Sequence, residues 1–269
     1  MISVLTVALF LFIHCEGQTT RAPENKQQVH RTSAQVVLTV LYDNYASVSG
    51  AKTQNGFSCL IEGIPHTTLF DTGTKPEILF HNIDLLKVDI KEIEWVFLSH
   101  SHGDHTGGLM SLLKRHPKVT VFFPESFPYG FVKRIERRKA QIQDIRKPGE
   151  LSAGVFHTGQ MGRQIKEMGM ILDTAKGSVL ITGCAHPGVV EMIKRAKKVV
   201  KKKVYLVLGG FHLLKKSETE IEEVIAEFKK LGVQKVAPTH CTGDKAIELF
   251  KKAYGENFVS AGVGAKLSL

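Results

Sequence analysis

Three histidines and an aspartate, His100, His102, Asp104 and His105, fall within six positions directly behind the apolar run 93–98. A buried strand must therefore end there and pass at once into a loop crowded with imidazole and carboxylate. Groups of that kind do not pack together without a partner, and the partner that suits them is a divalent cation. His100 and His102, two apart in extended chain, project to one side. Gly103 is expected to supply a tight turn that brings Asp104 and His105 back to the same space, and Gly107 and Gly108 to let a helix begin close by. Four ligands in so short a loop suit two neighbouring ions better than one, so more ligands are expected at strand ends elsewhere.

Three histidines meet that description, each following an apolar strand. They are His186 in Gly183-Cys184-Ala185-His186, His212 in Gly210-Phe211-His212, and His240 in Pro238-Thr239-His240-Cys241. Asp71, which ends a strand at Phe70-Asp71-Thr72-Gly73, is expected to orient a ligand loop from behind. Cys184 and Cys241, beside histidines in glycine-containing turns, place free thiols near the same site. His157 has a weaker context, and His30, His66, His81 and His116 read as surface residues.

Strands are expected over 36–42, 57–62, 66–70, 93–98, 119–123, 154–157, 168–173, 178–182, 204–208 and 233–237. Helices are expected near 83–90 and over 107–115, 187–200, 217–231 and 245–254, with a short glycine-rich tail behind them. In 217–231 glutamates come early and lysines late, as a helix dipole favours. The basic, irregular stretch 124–148 reads as an insertion or a lid over the metal edge. No repeat and no internal linker interrupts 36–269, so that span is one domain of layered α/β class. With 43% hydrophobic and 23% charged residues, disorder is confined to the N-terminus.

Residues 4–13 are apolar apart from Thr6, too few for a membrane span of about 20 residues but suited to the core of a signal peptide. Residues 1–17 are therefore expected to be a signal peptide and 18–35 a flexible linker. The chain would then be secreted or periplasmic, with a lipid anchor at Cys15 as a variant; without a signal it would be cytoplasmic. An odd number of cysteines after cleavage argues against a disulfide framework. The net charge of +10 draws heavily on two basic runs, within 133–147 and 194–203. The second, without interleaved aromatics, reads as a solvated helix face. Nucleic acid is therefore an unlikely partner.

The pattern His100-Ser-His102-Gly-Asp104-His105 resembles the signature of the metallo-β-lactamase superfamily, and Asp71-Thr72-Gly73, His186 and His240 follow in the expected order. Leu41-Tyr42-Asp43-Asn44, Gly183-Cys184-Ala185-His186, Gly210-Phe211-His212-Leu213 and Pro238-Thr239-His240-Cys241-Thr242-Gly243 narrow the likeness to the dihydropterin–ribofuranosylaminobenzene phosphate synthase-like subgroup. The resemblance implies a four-layer αβ/βα sandwich with a dinuclear metal site. It also shows two departures. Cys184 stands where most members carry a metal-bridging aspartate, which implies a weakly held second ion. Asn55 stands where the subgroup often has histidine.

The expected activity is hydrolysis of an ester, lactone or phosphoester by metal-activated water, on one or two divalent ions, zinc first and iron or manganese as alternatives. His100, His102 and His186 would hold one ion and Asp104, His105 and His240 the other. Asp104 would accept a proton and His212 stabilise an oxyanion, with Asp71 and Cys184 behind the ligands. The basic stretch favours a small anionic or phosphorylated substrate. The rival readings are a nuclease and a metal-binding sensor module without turnover.

Overall fold

The computed structural model describes residues 35–269. The expected signal peptide and all but the last residue of the expected linker lie outside the described residues. The first half of the chain forms β1 (Val37–Tyr42), β2 (Ser58–Glu62), β3 (Thr68–Phe70), α1 (Pro76–Leu85), β4 (Trp95–Phe97), α2 (Gly103–Thr106), α3 (Leu109–Arg115), β5 (Thr120–Pro124), α4 (Tyr129–Glu136) and β6 (Gln141–Ile145). The second half forms β7 (Gly149–Ser152), β8 (Val155–His157), β9 (Met170–Thr174), β10 (Gly177–Thr182), α5 (Val189–Val200), β11 (Val204–Gly210), α6 (Glu218–Lys230), β12 (Lys235–Thr239), α7 (Asp244–Tyr254) and β13 (Lys266–Ser268).

The strands build two sheets, ordered β13-β1-β2-β3-β4-β5-β6 and β12-β11-β10-β9-β8-β7. Alternation along each strand explains why they face each other. In β4, Phe97 packs between the sheets while Val96 packs under the helices of the first half. In β10 and β11, Val179, Ile181, Leu206 and Leu208 meet the other sheet, and Leu180 and Val207 meet α5 and α6. A strand apolar on both faces is one covered on both faces, so the continuous apolar runs follow directly from the layering. The result is a four-layer αβ/βα sandwich: α1 to α4, two sheets, then α5 to α7.

Several expectations change. The first helix is Pro76–Leu85 rather than a segment near 83–90, and it starts where Pro76 fits the first turn. Residues 124–148 are not an insertion or lid. After α4 they give β6, which pairs in parallel with β5, and β7 follows as the edge of the second sheet. The tail also carries structure: β13 lies antiparallel to β1 and extends the first sheet. Among the described residues, no helix is long and apolar enough to cross a membrane, and Cys59, Cys184 and Cys241 are free thiols.

Both sheets end their parallel strands on the same side of the molecule. Strands β3 to β6 run parallel, as do β10 to β12. Asp71, the His100–His105 loop, the Cys184–His186 turn, His212 and His240–Cys241 each follow the C-terminal end of one of these strands, the side on which open α/β sheets place their ligands. Phe97 stacks on Phe70 at 5.4 Å in the inter-sheet core directly beneath those ends. Phe97→Ala is expected to cost about 3–5 kcal/mol of unfolding free energy in urea titration, with m unchanged.

Candidate metal centre

The His100–His105 segment leaves β4, runs extended to His102, and then coils into the single turn of α2. Gly103 does not adopt a left-handed turn, and a Cβ there would meet nothing. The fold-back that brings in Asp104 and His105 is a helical turn instead. Gly107 does matter, because a Cβ there would lie 1.8 Å from the Thr74 carbonyl oxygen. That close approach seats the start of the helix against the loop behind β3.

Asp71 controls the imidazoles. Its Oδ1 accepts from Ser99 N–H at 2.7 Å, and its Oδ2 accepts from Ser99 Oγ at 2.7 Å and from His105 Nδ1 at 2.7 Å. The Ser99 hydroxyl spends its one proton on the carboxylate, so toward His100 Nδ1, at 2.9 Å, it is an acceptor. Nδ1 of His100 must then carry the proton, and its Nε2 is left with a bare lone pair. His240, on the other sheet, has its Nδ1 3.0 Å from the Asn44 Oδ1 acceptor and 3.3 Å from the Gly56 N–H donor. His100 is thereby fixed in the tautomer that a metal ligand needs, and Asp71 holds the His105 ring by its Nδ1.

The free nitrogens converge on two places. Asp104, His105, Cys184 and His240 offer donor atoms within 4.8 Å of one another, and so do His100, Cys184 and His186. The His102 ring lies 4.6 Å from that of His100 and 4.9 Å from that of His186, which adds it to the second set. His100 Nε2 and His186 Nε2 are buried and have no hydrogen-bond partner. Orphaned buried nitrogens are costly unless something meets them. A pair aimed into a pocket of imidazole, carboxylate and thiol fits divalent metal ions.

Charge in the cluster follows the same logic. Burial works to lower the pKa of His105, but the charge and hydrogen bond of Asp71, with Asp104 and Glu167 behind, outweigh it and raise the pKa to about 9. Burial, with neighbouring imidazoles, holds His100 well below its usual value and brings His186 down to about 4. Burial would raise Asp104, yet His240 and His105 pull it below the usual carboxylate range. Its Oδ2 accepts from Asn55 Nδ2 at 3.0 Å.

The metallo-β-lactamase superfamily profile matches residues 54–248. The chain belongs to the metallo-β-lactamase superfamily. A Methanocaldococcus jannaschii relative named 7,8-dihydropterin-6-methyl-4-(β-D-ribofuranosyl)-aminobenzene-5'-phosphate synthase is 34% identical over 255 residues, spanning 77% of this chain and 87% of its own. The subgroup resemblance holds with it. A solved metal-dependent hydrolase of the β-lactamase superfamily matches with a TM-score of 0.74 at 26% identity, over 87% of this chain and 99% of that one. Human tRNase Z, short form, shares the fold, with a TM-score of 0.58 at 14% identity over 86% of this chain and 98% of its own.

Within this superfamily frame the structure brings most of the singled-out residues together. His100 and His186 share one donor group, with the His102 ring beside them, Asp104, His105 and His240 share the other, and Asp71 stands behind His105. His212 lies at the open edge, its ring 4.4 Å from that of His186. His157 stays apart, buried and accepting from Gly159 N–H at 3.1 Å. Cys184 is placed differently from the expectation. Its sulfur is not behind the ligands but between the two donor sets, 3.2 Å from His105 Nε2 and 3.3 Å from His240 Nε2. The position of the usual bridging aspartate is thus filled by a donor rather than lost.

The sequence reading missed Glu167, Ser99 and Asn44. Glu167 is fully buried and accepts from four consecutive backbone N–H groups, those of Gly183, Cys184, Ala185 and His186, at 2.8–3.1 Å. Burial pushes its pKa up to about 7, against the pull of those amides. Nothing near Glu167 in the chain signals this role, since its partners lie sixteen to nineteen residues away. Glu167→Ala is expected to cost at least about 2 kcal/mol in urea titration, because a run of buried amides loses its acceptor.

The His105 shift also sets a pH dependence. Without metal its ring holds two protons below about pH 9, and a ligand nitrogen must be bare. Metal uptake therefore releases a proton, and apparent affinity should climb as pH rises toward 9, then level off. Equilibrium dialysis against zinc checks this; an affinity flat between pH 7 and 9 would contradict it.

Proposed function

We propose that the protein is a hydrolase that uses a pair of divalent ions, zinc in the first place, to cleave a small anionic ester, lactone or phosphoester. The observation that carries this reading is the convergence of two donor sets that share Cys184, one of them holding the buried, partnerless nitrogens of His100 and His186. His100, His102 and His186 would hold one ion, Asp104, His105 and His240 the other, and Cys184 would touch both. When bound, such ions supply a hydroxide nucleophile near neutral pH and polarise the oxygen of the scissile bond.

The residues do the rest. Asp104 is held as an anion by His240 and His105 against the effect of burial, and it is only partly buried, which suits it to face a cation. So weak a base does not take up the proton of an activated water. Asn55 steadies that carboxylate through its amide. His212 stands on the open side of His186, where a donor would meet charge building up on the substrate. His105 is kept in register by Asp71.

An anionic substrate is supported by the rim. The loop through Gly162 packs against Pro187, next to His186, and carries Arg163 exposed at its tip. On the other side a cleft of about 340 Å³ is lined by His212, Leu214, Lys215, Lys216, Glu220 and Cys241. Lys216 is paired with Glu220 at 2.7 Å, which leaves Lys215 on the cleft side and Arg163 on the loop side as the charges that draw anions. The archaeal relative is named for a 5'-phosphate product, the same chemical class.

The test is a panel of ester, lactone and phosphodiester reporters offered to the zinc-loaded chain. Turnover of at least one is expected, lost on chelation and restored by metal. His102→Ala should bind less metal and lose at least about 100-fold in kcat/KM. Silence across the panel with metal fully loaded would overturn the hydrolase reading. It would favour a binding module, the reading that a thiol at the bridging position supports.

A further inference from the structure

A third group of donors converges beside the two sets described above. Cys184 Sγ, a ring nitrogen of His212 and Cys241 Sγ lie within 4.8 Å of one another. Metal–sulfur bonds of about 2.3 Å and metal–nitrogen bonds of about 2.0–2.1 Å hold neighbouring donors roughly 3.5–4 Å apart, so small side-chain rotations close such a group. The chemistry differs from that of its neighbours. Two thiols and one imidazole make a soft set, against the mostly imidazole and carboxylate sets beside it.

The backbone around the three donors is built to hold them. His212 and His240, the residue before Cys241, both sit in left-handed conformations, at φ 57° and 51°. The two loops are tied together: Phe211 N–H donates to Thr242 Oγ1 at 3.0 Å, and Leu214 N–H to the Cys241 carbonyl at 3.3 Å. Gly210 leaves the room for the thiol, because a Cβ there would lie 2.6 Å from Cys241 Sγ. The Cys241 thiol donates to the Cys184 carbonyl at 3.5 Å, which holds its sulfur against the 183–186 turn. His212 and Cys241 also line the 340 Å³ cleft, which gives an ion held here an open side.

We propose that Cys184, His212 and Cys241 form a third cation position, selective for a soft, thiophilic ion of the zinc, cadmium or copper(I) class. It shares Cys184 with the proposed pair but depends on two donors, His212 and Cys241, that hold neither member of it. A thiolate has lone pairs enough to serve more than one ion. An ion here would present its open side to the cleft and to the anionic part of the substrate. It would act where His212 was placed above as a donor, with a larger charge.

The test is a cadmium titration of the full chain, with ions counted by elemental analysis after dialysis and sulfur–cadmium charge transfer followed in the ultraviolet. Cys241→Ser is expected to hold one ion fewer than the wild type, and to lose about half of the charge-transfer absorbance with one of two thiolates gone. His212→Gln, an exposed change that keeps both thiols, should also lose one ion, and it carries the test should Cys241→Ser fail to fold. Equal counts in wild type and both variants would overturn the third position, whatever the total. The total speaks separately to the pair: a wild type that binds no ion overturns both readings, whereas two ions in every protein leaves the pair standing.

Discussion

The carboxylate of Asp71 is the interaction on which the metal centre depends. It is fully buried, and it binds the backbone and hydroxyl of Ser99 and the ring of His105 at once. Through Ser99 it fixes the proton on His100, and directly it fixes the proton on His105. One acceptor-only group thereby sets the tautomer of two ligands and joins the end of β3 to the loop behind β4. A buried carboxylate is tolerable only when its lone pairs are met, and here three donors meet them. Removing it would leave two rings free to turn and a hydroxyl without its acceptor.

Glu167 does the corresponding work on the second sheet. Its four amide contacts wrap the 183–186 turn around one carboxylate, in the manner of an anion seated in a nest of backbone N–H groups. The turn so held carries Cys184 and His186, one donor shared by the donor groups and one belonging to a single group. The two carboxylates thus act on opposite sheets: Asp71 aims side chains, and Glu167 shapes backbone.

Strain marks the same places. Asp71, Ala185, His212 and His240 all have positive φ, between 51° and 60°. Each lies just past the end of a parallel strand, β3, β10, β11 or β12. A non-glycine residue in that conformation costs roughly 1–3 kcal/mol and persists only where its surroundings over-determine it. The return is reach. A strand running straight on would carry its next side chain past the cleft, whereas a left-handed residue turns the chain at once. The fold, stabilised by three apolar layers, carries that cost at the rim.

Much of this was legible in the residues. The spacing of His100, His102, Asp104 and His105 behind an apolar strand pointed to a cluster that closes on itself at a strand end, and the structure gathers these side chains there. His186, His212 and His240 were legible for a local reason too, since each ends an apolar run at a glycine or proline turn. Alternating and continuous apolar runs gave the layers. What stayed hidden was whatever depends on partners far away in the chain. The edge strands β6, β7 and β13 carry weak patterns and are strands because a neighbour offers them a ladder. Glu167 looks like any glutamate until four amides sixteen or more residues distant are folded onto it. Cys184 could be read as a thiol near the site and as a missing aspartate, but not as a sulfur shared by several donor groups. The sequence by itself determined which imidazoles and carboxylates gather at the strand ends and which strands bring them in. The tertiary structure alone decided that the Cys184 sulfur lies between all the donor groups, because only packing two sheets face to face brings the ends of β4, β10, β11 and β12 within a few ångströms.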